Sequence, residues 1–268
     1  MLKHFYLFSY PNDWQREGLA PFVLDDTLLH YISQRQDSGA CHFWPSHKRV
    51  ILGAMDKRLP YFEDAILSLE KAGYPPVVRT AGGLGVVDDP GVLNFSLLLA
   101  NPHQKISIDG AYEIMLDLIR SWLAPYRLEV THQEVPDSYC PGSYDLTVNG
   151  KKIAGLAQRR LSHAVGIMIY LSLSGKQEER GQLMRNFYTI GQGNEPIKGT
   201  YPAIDPSSMT SIENLLGLTI TREQAIDQLI SLISHRWPLQ EGQMDWLDPD
   251  RLYKNWQKIS RRQKGSKI

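Results

Sequence analysis

A short turn signal, Asn149-Gly150, constrains the fold of this chain more than any other local feature. Asn-Gly between two β-rich runs is the strongest short-range indication of a β-hairpin, because type I′ turns need positive φ at both central residues. The run Y-D-L-T-V precedes the turn and K-K-I-A-G-L-A follows it. The predicted hairpin returns Lys152 toward the proline- and glycine-containing loop that carries Cys140.

Cys140 and Lys152 are therefore candidates for a nucleophile and its cation. A thiol attacks efficiently near neutral pH when a nearby cation favours the thiolate. Free cysteines are most often small buried apolar residues, and Cys41, within a strand pattern, fits that description. His132 and His163 are alternative partners for Cys140, although no local pattern places either beside it.

Strand alternation separates the two lysines that follow the turn. Neighbouring residues of a strand point to opposite faces of the sheet, so Lys151 and Lys152 cannot both enter one pocket. The other reading is that both lysines are solvated surface residues next to a turn.

Composition excludes several classes of function. The 29 basic and 29 acidic residues balance, so no global field indicates nucleic acid or a membrane surface. No apolar run approaches the ~20 residues of a membrane-spanning helix, and no signal-peptide pattern is present. Two cysteines provide no disulfide framework, so we expect a cytoplasmic protein.

The order of elements predicts an α+β fold, a mainly antiparallel sheet packed with helices and followed by a helical C-terminal segment. We expect one domain over 1–268, with a short polar tail at its end. The apolar run 165–173 is too continuous for a half-exposed strand and is predicted to be central. The other predicted strands are 41–44, 50–53, three within 77–101, and 128–131. One predicted helix begins at Asp25, and the others lie near 62–69, 114–123, 178–190, 208–216 and 221–235.

A glycine-rich segment, R-T-A-G-G-L-G over residues 79–85, interrupts the predicted strands. Glycines let a backbone approach a ligand closely, and exposed N–H groups bind carbonyl or phosphate oxygens. The segment matches neither standard phosphate-binding motif, so an ordinary turn between strands is the alternative.

Two segments together carry a family resemblance. R-T-A-G-G-L-G-V-V-D-D-P-G-V-L-N-F-S and Y-D-L-T-V-N-G-K-K-I-A-G-L-A-Q-R-R resemble the catalytic domain of lipoate and biotin protein ligases, over roughly residues 20 to 240. That superfamily includes ATP-dependent lipoate–protein ligases, enzymes that take octanoyl from acyl carrier protein, and amidotransferases that move octanoyl between lipoyl domains. The segment S-Y-C-P-G-S-Y-D-L-T-V-N-G-K-K-I-A-G is most similar to the amidotransferases.

Departures from the ligase pattern favour the same branch. Ligases usually carry three consecutive glycines and a His-Asp pair, whereas here Leu84 interrupts the glycines and Asp88-Asp89 replaces the pair. The chain also leaves little room for the accessory domain of long ligases. A cysteine twelve positions before the motif lysine would be idle in an enzyme that activates its acid as an adenylate.

The resemblance implies a mechanism and a set of site residues. Cys140 would carry the acyl group as a thioester, and Lys152 would favour its thiolate and contact the acyl carbonyl. The residues Arg79, Gly82, Gly83 and Gly155 would line the substrate site. We expect no metal, no ATP and no other cofactor.

The resemblance also implies partners. The donor would be octanoyl- or lipoyl-GcvH, the H protein of glycine cleavage, and the acceptors would be the lipoyl domains of 2-oxoacid dehydrogenase E2 subunits. A basic patch that includes Arg159 and Arg160 is the expected docking surface for these acidic domains. The alternatives are an ATP-dependent ligase in which Cys140 is incidental, a transferase from acyl carrier protein, and a catalytically inactive carrier-binding protein.

Overall fold

The computed structural model describes residues 2–193 and 201–263, which form eleven β-strands and seven α-helices. The strands are β1 His4–Phe8, β2 Ser38–Phe43, β3 Arg49–Leu52, β4 Pro76–Val78, β5 Val86–Asp88, β6 Val92–Ala100, β7 Thr131–His132, β8 Leu146–Val148, β9 Lys151–Leu161, β10 Ala164–Ser172 and β11 Leu239–Gly242. The helices are α1 Ala20–Ser33, α2 Phe62–Lys71, α3 Ile108–Leu123, α4 Gln177–Gln192, α5 Ile212–Leu216, α6 Arg222–Arg236 and α7 Pro249–Gln263.

The larger sheet has eight strands in the order β11-β1-β2-β6-β10-β9-β8-β7. Its pairings are antiparallel except at one edge, where β1 runs parallel to both β2 and β11. The predicted mainly antiparallel sheet is thus confirmed. Strand β10 lies between β6 and β9 with all nine residues buried, which confirms the central position predicted from its continuous apolar sequence.

A second sheet of three strands, ordered β4-β3-β5, was not predicted as a separate layer. It packs against α2 and α4 around a core of its own that includes Val50, Leu69 and Phe187. The glycine-rich segment connects β4 to β5 and so belongs to this smaller layer. The prediction of a single sheet was wrong here, because alternation of apolar residues does not say which strands pair.

Helices cover both faces of the larger sheet. On one face α3 and α6 bury residues such as Met115, Trp122 and Leu229, and on the other α1 packs against the sheet with Leu24 and Leu28. Helix α6 begins with a capping box formed by Thr221 and Gln224. Within the described residues, no helix has the length and apolar content to cross a membrane.

Several predicted elements differ in extent, and two helices begin earlier than predicted, α1 at Ala20 rather than Asp25 and α3 at Ile108 rather than near 114. The helix expected at 208–216 shortens to α5, because Ser211 caps it and the N–H of Thr210 bonds instead to the carbonyl of Lys152. The strand expected at 128–131 reduces to β7. The basic residues predicted as a polar tail begin inside α7, whose Asn255 donates to Thr27 on α1, while residues 264–268 lie outside the described part.

The central hairpin forms as predicted. Strands β8 and β9 are joined by Asn149 and Gly150, which have φ of 51° and 75°. Lys152 pairs with Thr147 across the hairpin. Lys151 is exposed, whereas the side chain of Lys152 is only 3% exposed, so the predicted division between the two lysines is confirmed.

Candidate active site

A cavity of about 280 Å³ lies where the two sheets meet. All six residues proposed from the sequence line it: Arg79, Gly82, Gly83, Cys140, Lys152 and Gly155. Apolar side chains form much of the remaining wall, among them Trp44, Ile51, Val86, Leu156 and Met168. A cavity with apolar walls and a few converging polar groups is typical of a small-ligand site, and this one suits an alkyl chain with a polar head.

Cys140 occupies an unusual backbone position in this cavity. Its φ of 50° is in the left-handed region, where a residue with a side chain is uncommon and strained. Its Sγ accepts a hydrogen bond from the backbone N–H of Leu84 at 3.1 Å and lies 3.8 Å from Nη2 of Arg79. The sulfur therefore faces two hydrogen-bond donors from the glycine-rich segment.

Arg79 is buried and is held by main-chain carbonyls. Its guanidinium donates to the carbonyls of Ile51, Gly82 and Leu84, at distances between 2.7 and 3.2 Å. No carboxylate forms a salt bridge with it among the residues that the structure describes. Its guanidinium, without a carboxylate partner among those residues, lies 3.8 Å from the sulfur of Cys140.

Gly83 lets the glycine-rich turn approach the thiol. Its φ is 92°, and a Cβ there would lie 2.9 Å from the Sγ of Cys140 and 2.6 Å from Nη2 of Arg79. Gly53 supports the turn from the other side, because a Cβ on Gly53 would lie 1.8 Å from the carbonyl oxygen of Gly83. Gly82 has open space at its Cβ position, so the packing does not require a glycine there.

Lys152 reaches the Cys140 loop but contacts its main chain. Nζ donates to the carbonyls of Tyr139 and Cys140 at 2.9 and 2.8 Å and to the hydroxyl of Ser138 at 3.1 Å. It also forms an ion pair with Asp145 at 2.9 Å. The expected cation at the thiol is therefore not Lys152 in this structure, since its ammonium is engaged by four oxygens and Arg79 stands at the sulfur instead.

Asp145 ties the lysine to the loop. One carboxylate oxygen contacts Lys152, and the other accepts the backbone N–H groups of Val135 and Gly142, both at 3.2 Å. Burial raises the pKa of Asp145, and Lys152 acts against that rise. Asp145 is not among the site residues predicted from the sequence, although an acidic residue close to the strand opposite Lys152 is a usable signal for a buried pair. Gly155 lies beside this lysine, since a Cβ added to it would lie 3.5 Å from Cε of Lys152.

Tyr139 holds the Cys140 loop in place through buried hydrogen bonds. Its ring is fully buried, and its hydroxyl hydrogen-bonds with the hydroxyl of Tyr170 and accepts from Nε2 of Gln177 at 2.7 Å. Burial raises the pKa of this phenol well above its usual value, so it stays neutral. The residue next to Cys140 is thereby fixed on strand β10 and helix α4.

The two candidate histidines lie elsewhere. His132 is exposed, stacks on the ring of Tyr144 at 4.3 Å, and approaches Glu113 at 3.6 Å. His163 is exposed, with Nδ1 3.3 Å from the carbonyl of Pro102. Neither histidine lines the cavity, so the structure does not place a His beside the thiol.

Cys41 is a core residue, as predicted. Its side chain is fully buried, and burial raises the pKa of its thiol well above the usual value.

One of the two arginines of the predicted basic patch is paired with a carboxylate. Arg159 pairs with the buried Asp26, whereas Arg160 donates to main-chain carbonyls and forms no salt bridge in the described part of the chain.

The Asp88-Asp89 pair has structural partners. Asp88 accepts from Arg49 at 2.9 Å and from Asn94 at 2.9 Å, and Asp89 accepts two hydrogen bonds from Arg180 at 2.8 and 2.6 Å. Burial raises the pKa of Asp88 to about 6, against the effect of Arg49. These carboxylates hold the two sheets and α4 together.

The sequence is similar to known proteins over most of its length. The model of the lipoyl protein ligase A/B catalytic domain matches residues 17–234. The octanoyl-[GcvH]:protein N-octanoyltransferase of Lysinibacillus sphaericus is 39% identical over 222 residues, which are 83% of this chain and 80% of that protein. The lipoyl-[GcvH]:protein N-lipoyltransferase of Listeria monocytogenes is 38% identical over 219 residues, covering 82% of this chain and 79% of the relative.

Solved structures share the fold at low identity. A lipoate-protein ligase A bound with ATP superposes with a TM-score of 0.68 and 16% identity, covering 97% of this chain and 95% of that one. The lipoate protein ligase Ta0514 of Thermoplasma acidophilum gives 0.65 at 16% identity, with 98% and 96% coverage. The match of the domain model and the identity to these relatives both extend over most of the sequence, and the chain belongs to the lipoyl protein ligase A/B catalytic-domain family.

Proposed function

We propose that this protein is an octanoyl-[GcvH]:protein N-octanoyltransferase, an enzyme of lipoate assembly that takes an octanoyl or lipoyl group from the lysine of GcvH and passes it to the lysines of E2 lipoyl domains. The names of relatives at about 40% identity support the activity and the donor. The observation that carries the proposal is the thiol of Cys140, which lies in an apolar-walled cavity against the N–H of Leu84 and the guanidinium of Arg79.

The first half-reaction acylates Cys140. Its thiolate attacks the carbonyl carbon of the donor amide, a C–S bond forms, the C–N bond breaks, and the leaving lysine amine takes up a proton. Lys152 is the nearest ammonium to the main chain of Cys140 and is our candidate for that proton. Because Lys152 is bound by four oxygens, it must release one of them to reach the substrate.

The second half-reaction returns the thiolate. The amine of the acceptor lysine attacks the thioester, a C–N bond forms, the C–S bond breaks, and the amine loses a proton to the base left in the first step. One amide is exchanged for another, so the stoichiometry needs no nucleotide. Splitting the exchange at a cysteine replaces one difficult step by two easier ones.

The test is a transfer assay without ATP. Purified protein is given octanoyl-GcvH or octanoyl-acyl carrier protein, with an unmodified E2 lipoyl domain as acceptor, and the acceptor's acylation is followed by gel shift or mass. We expect acylation from octanoyl-GcvH without nucleotide, and none in a Cys140→Ser variant. If the acceptor were acylated only from octanoyl-acyl carrier protein, the donor would be acyl carrier protein and not GcvH.

The second candidate is an ATP-dependent lipoate–protein ligase. It rests on the shared fold with a lipoate-protein ligase A bound with ATP. Acylation of the lipoyl domain from free octanoate or lipoate, strictly dependent on ATP and unaffected by Cys140→Ser, would establish this function instead.

A further inference from the structure

The turn that faces the thiol is itself held by a buried hydrogen-bond chain. Leu84 contributes twice at the site: its N–H donates to the Sγ of Cys140 at 3.1 Å, and its carbonyl accepts from Arg79 at 2.8 Å. The next residue, Gly85, gives its N–H to the hydroxyl of Tyr188 at 3.0 Å. The position of the Leu84 N–H therefore depends on what holds Tyr188.

Tyr188 is held by Asp56. The ring lies on helix α4 with 1% exposure, and its hydroxyl donates to Oδ1 of Asp56 at 2.9 Å. The other carboxylate oxygen accepts the N–H of Gly53 at 2.7 Å. Gly53 in turn packs directly against the carbonyl of Gly83. Asp56 thus links the end of β3 to the glycine-rich turn. It accepts the N–H of Gly53 directly, and it reaches Gly85 through the hydroxyl of Tyr188.

Burying an aspartate at position 56 is unfavourable for the free energy of folding. Its side chain is fully buried, and no salt bridge reaches it among the residues that the structure describes. Burial raises its pKa to about 6, and the N–H of Gly53, the hydroxyl of Tyr188 and the charge of Arg79 act in the opposite direction. A buried carboxylate without an ion pair costs folding free energy, and such groups concentrate at functional sites.

We propose that Tyr188 and Asp56 are positioning residues of the active site, which fix the glycine-rich turn so that the N–H of Leu84 meets the sulfur of Cys140. Neither residue lines the cavity, and neither contacts the sulfur directly. They act through Gly85 and Gly53. The inference rests on the proposed role of Cys140 as the nucleophile.

Tyr188→Phe tests the proposal, because it removes only the hydroxyl. Tyr201→Phe is the matched control, since its ring lies 5.5 Å from that of Tyr188 and its hydroxyl donates to the carbonyl of Met55 rather than to the turn. The readouts are the rate of Cys140 alkylation by iodoacetamide as a function of pH, and kcat and KM with octanoyl-GcvH. Both are measured well below the melting temperature, with circular dichroism to confirm the fold.

We expect Tyr188→Phe to slow alkylation at pH 7 by roughly tenfold, the equivalent of one hydrogen bond. The pH profile of alkylation moves to higher pH and kcat falls, while KM stays near that of the wild type. Tyr201→Phe changes none of these. A residue that only stabilised the core would lower the melting temperature without moving the alkylation profile of the folded protein.

Asp56→Asn provides a second variant if Tyr188→Phe does not fold. It keeps one oxygen acceptor and removes the other, so we expect a change in the same direction. Wild-type alkylation and kcat in either folded variant would overturn the proposal. Alkylation needs no acyl donor, so a wild-type enzyme that failed to accept octanoyl-GcvH would refute the proposed function while the comparison of variants still stood.

Discussion

The backbone N–H of Leu84 donates to the Sγ of Cys140 at 3.1 Å, across 56 positions of sequence. Leu84 lies in the turn between β4 and β5 of the small sheet, and Cys140 lies in the loop before β8 of the large sheet. The candidate site therefore exists only where the two layers meet. Variants that loosen either layer are expected to affect the thiol before they affect the fold as a whole.

The two cysteines give the first prediction. We expect Cys140→Ala to abolish octanoyl transfer and leave the melting temperature nearly unchanged, because this loop residue is only partly buried. Cys41→Ala is expected to keep activity and lose on the order of 1 kcal/mol of unfolding free energy, from the small cavity it leaves. Activity and urea unfolding of both variants check this. Loss of transfer in a folded Cys41→Ala protein would mean that the wrong cysteine had been chosen.

The two lysines give the second prediction. Lys152→Ala is expected to lose transfer and to destabilise the protein by on the order of 3–5 kcal/mol, because Asp145 is left buried without its partner. Lys151→Ala is expected to change neither property, since its side chain is exposed. Transfer rates and urea unfolding of the two variants are the measurements. The opposite pattern would place the hairpin register off by one residue.

A double variant separates stability from chemistry at Lys152. Lys152→Met with Asp145→Asn removes both charges and keeps an oxygen acceptor for the N–H groups of Val135 and Gly142. We expect it to recover much of the unfolding free energy lost in Lys152→Ala, with no recovery of transfer. Full recovery of transfer would show that Lys152 only supports the loop.

The third prediction concerns Arg79, whose Nη2 lies 3.8 Å from the sulfur of Cys140. Arg79→Lys keeps a charge but cannot donate to the three carbonyls that hold the guanidinium fork. We expect alkylation of Cys140 at pH 7 to fall by roughly tenfold, on the scale of one charge-assisted hydrogen bond. Lys151→Ala serves as the control, and an alkylation rate equal to that of the wild type in Arg79→Lys would remove Arg79 from the account.

The fourth prediction is a pH dependence of stability. Burial raises the pKa of Asp56 from 3.8 to about 6. Its protonated form is favoured in the fold, so its contribution is full below about pH 4 and is lost as the pH rises through 6. Between pH 5 and 7.5 this loss is on the order of 1 kcal/mol.

Urea unfolding of Asp56→Asn at these two pH values tests the assignment. Its unfolding free energy should change less with pH than that of the wild type, by the amount that Asp56 contributed. Asp205→Asn is the control, because Asp205 is exposed and its hydrogen bonds from Ser207 lower its pKa, away from this pH window. An unchanged pH dependence in Asp56→Asn would contradict the raised pKa.

The local half of the site could be predicted from the sequence. The Asn149-Gly150 turn predicts the hairpin, and strand alternation predicts that only one of Lys151 and Lys152 enters the pocket, while the family resemblance selects Lys152. The glycine-rich segment predicted a close approach of the backbone to a ligand. What it approaches, the sulfur of Cys140, could not be derived from spacing.

The non-local half of the site had no sequence signal. Asp56 and Tyr188 are 132 positions apart, and each reads locally as an ordinary residue of a turn or a helix. The same limit explains why Lys152 was expected at the sulfur. The sequence predicted a lysine turned toward this loop, but it carries no signal for the hydrogen bonds that Lys152 donates to the carbonyls of Tyr139 and Cys140, in a loop where Cys140 has a left-handed φ.

The central claim, a thioester on Cys140, is tested most directly by mass spectrometry of the enzyme itself. The protein is incubated with octanoyl-GcvH in the absence of ATP and of any acceptor, quenched in acid and digested. We predict one octanoyl group on the peptide that contains Cys140, none on the peptide that contains Cys41, and release of the group when an E2 lipoyl domain is added before the quench. An unmodified Cys140 peptide from an enzyme that still completes transfer would contradict the account.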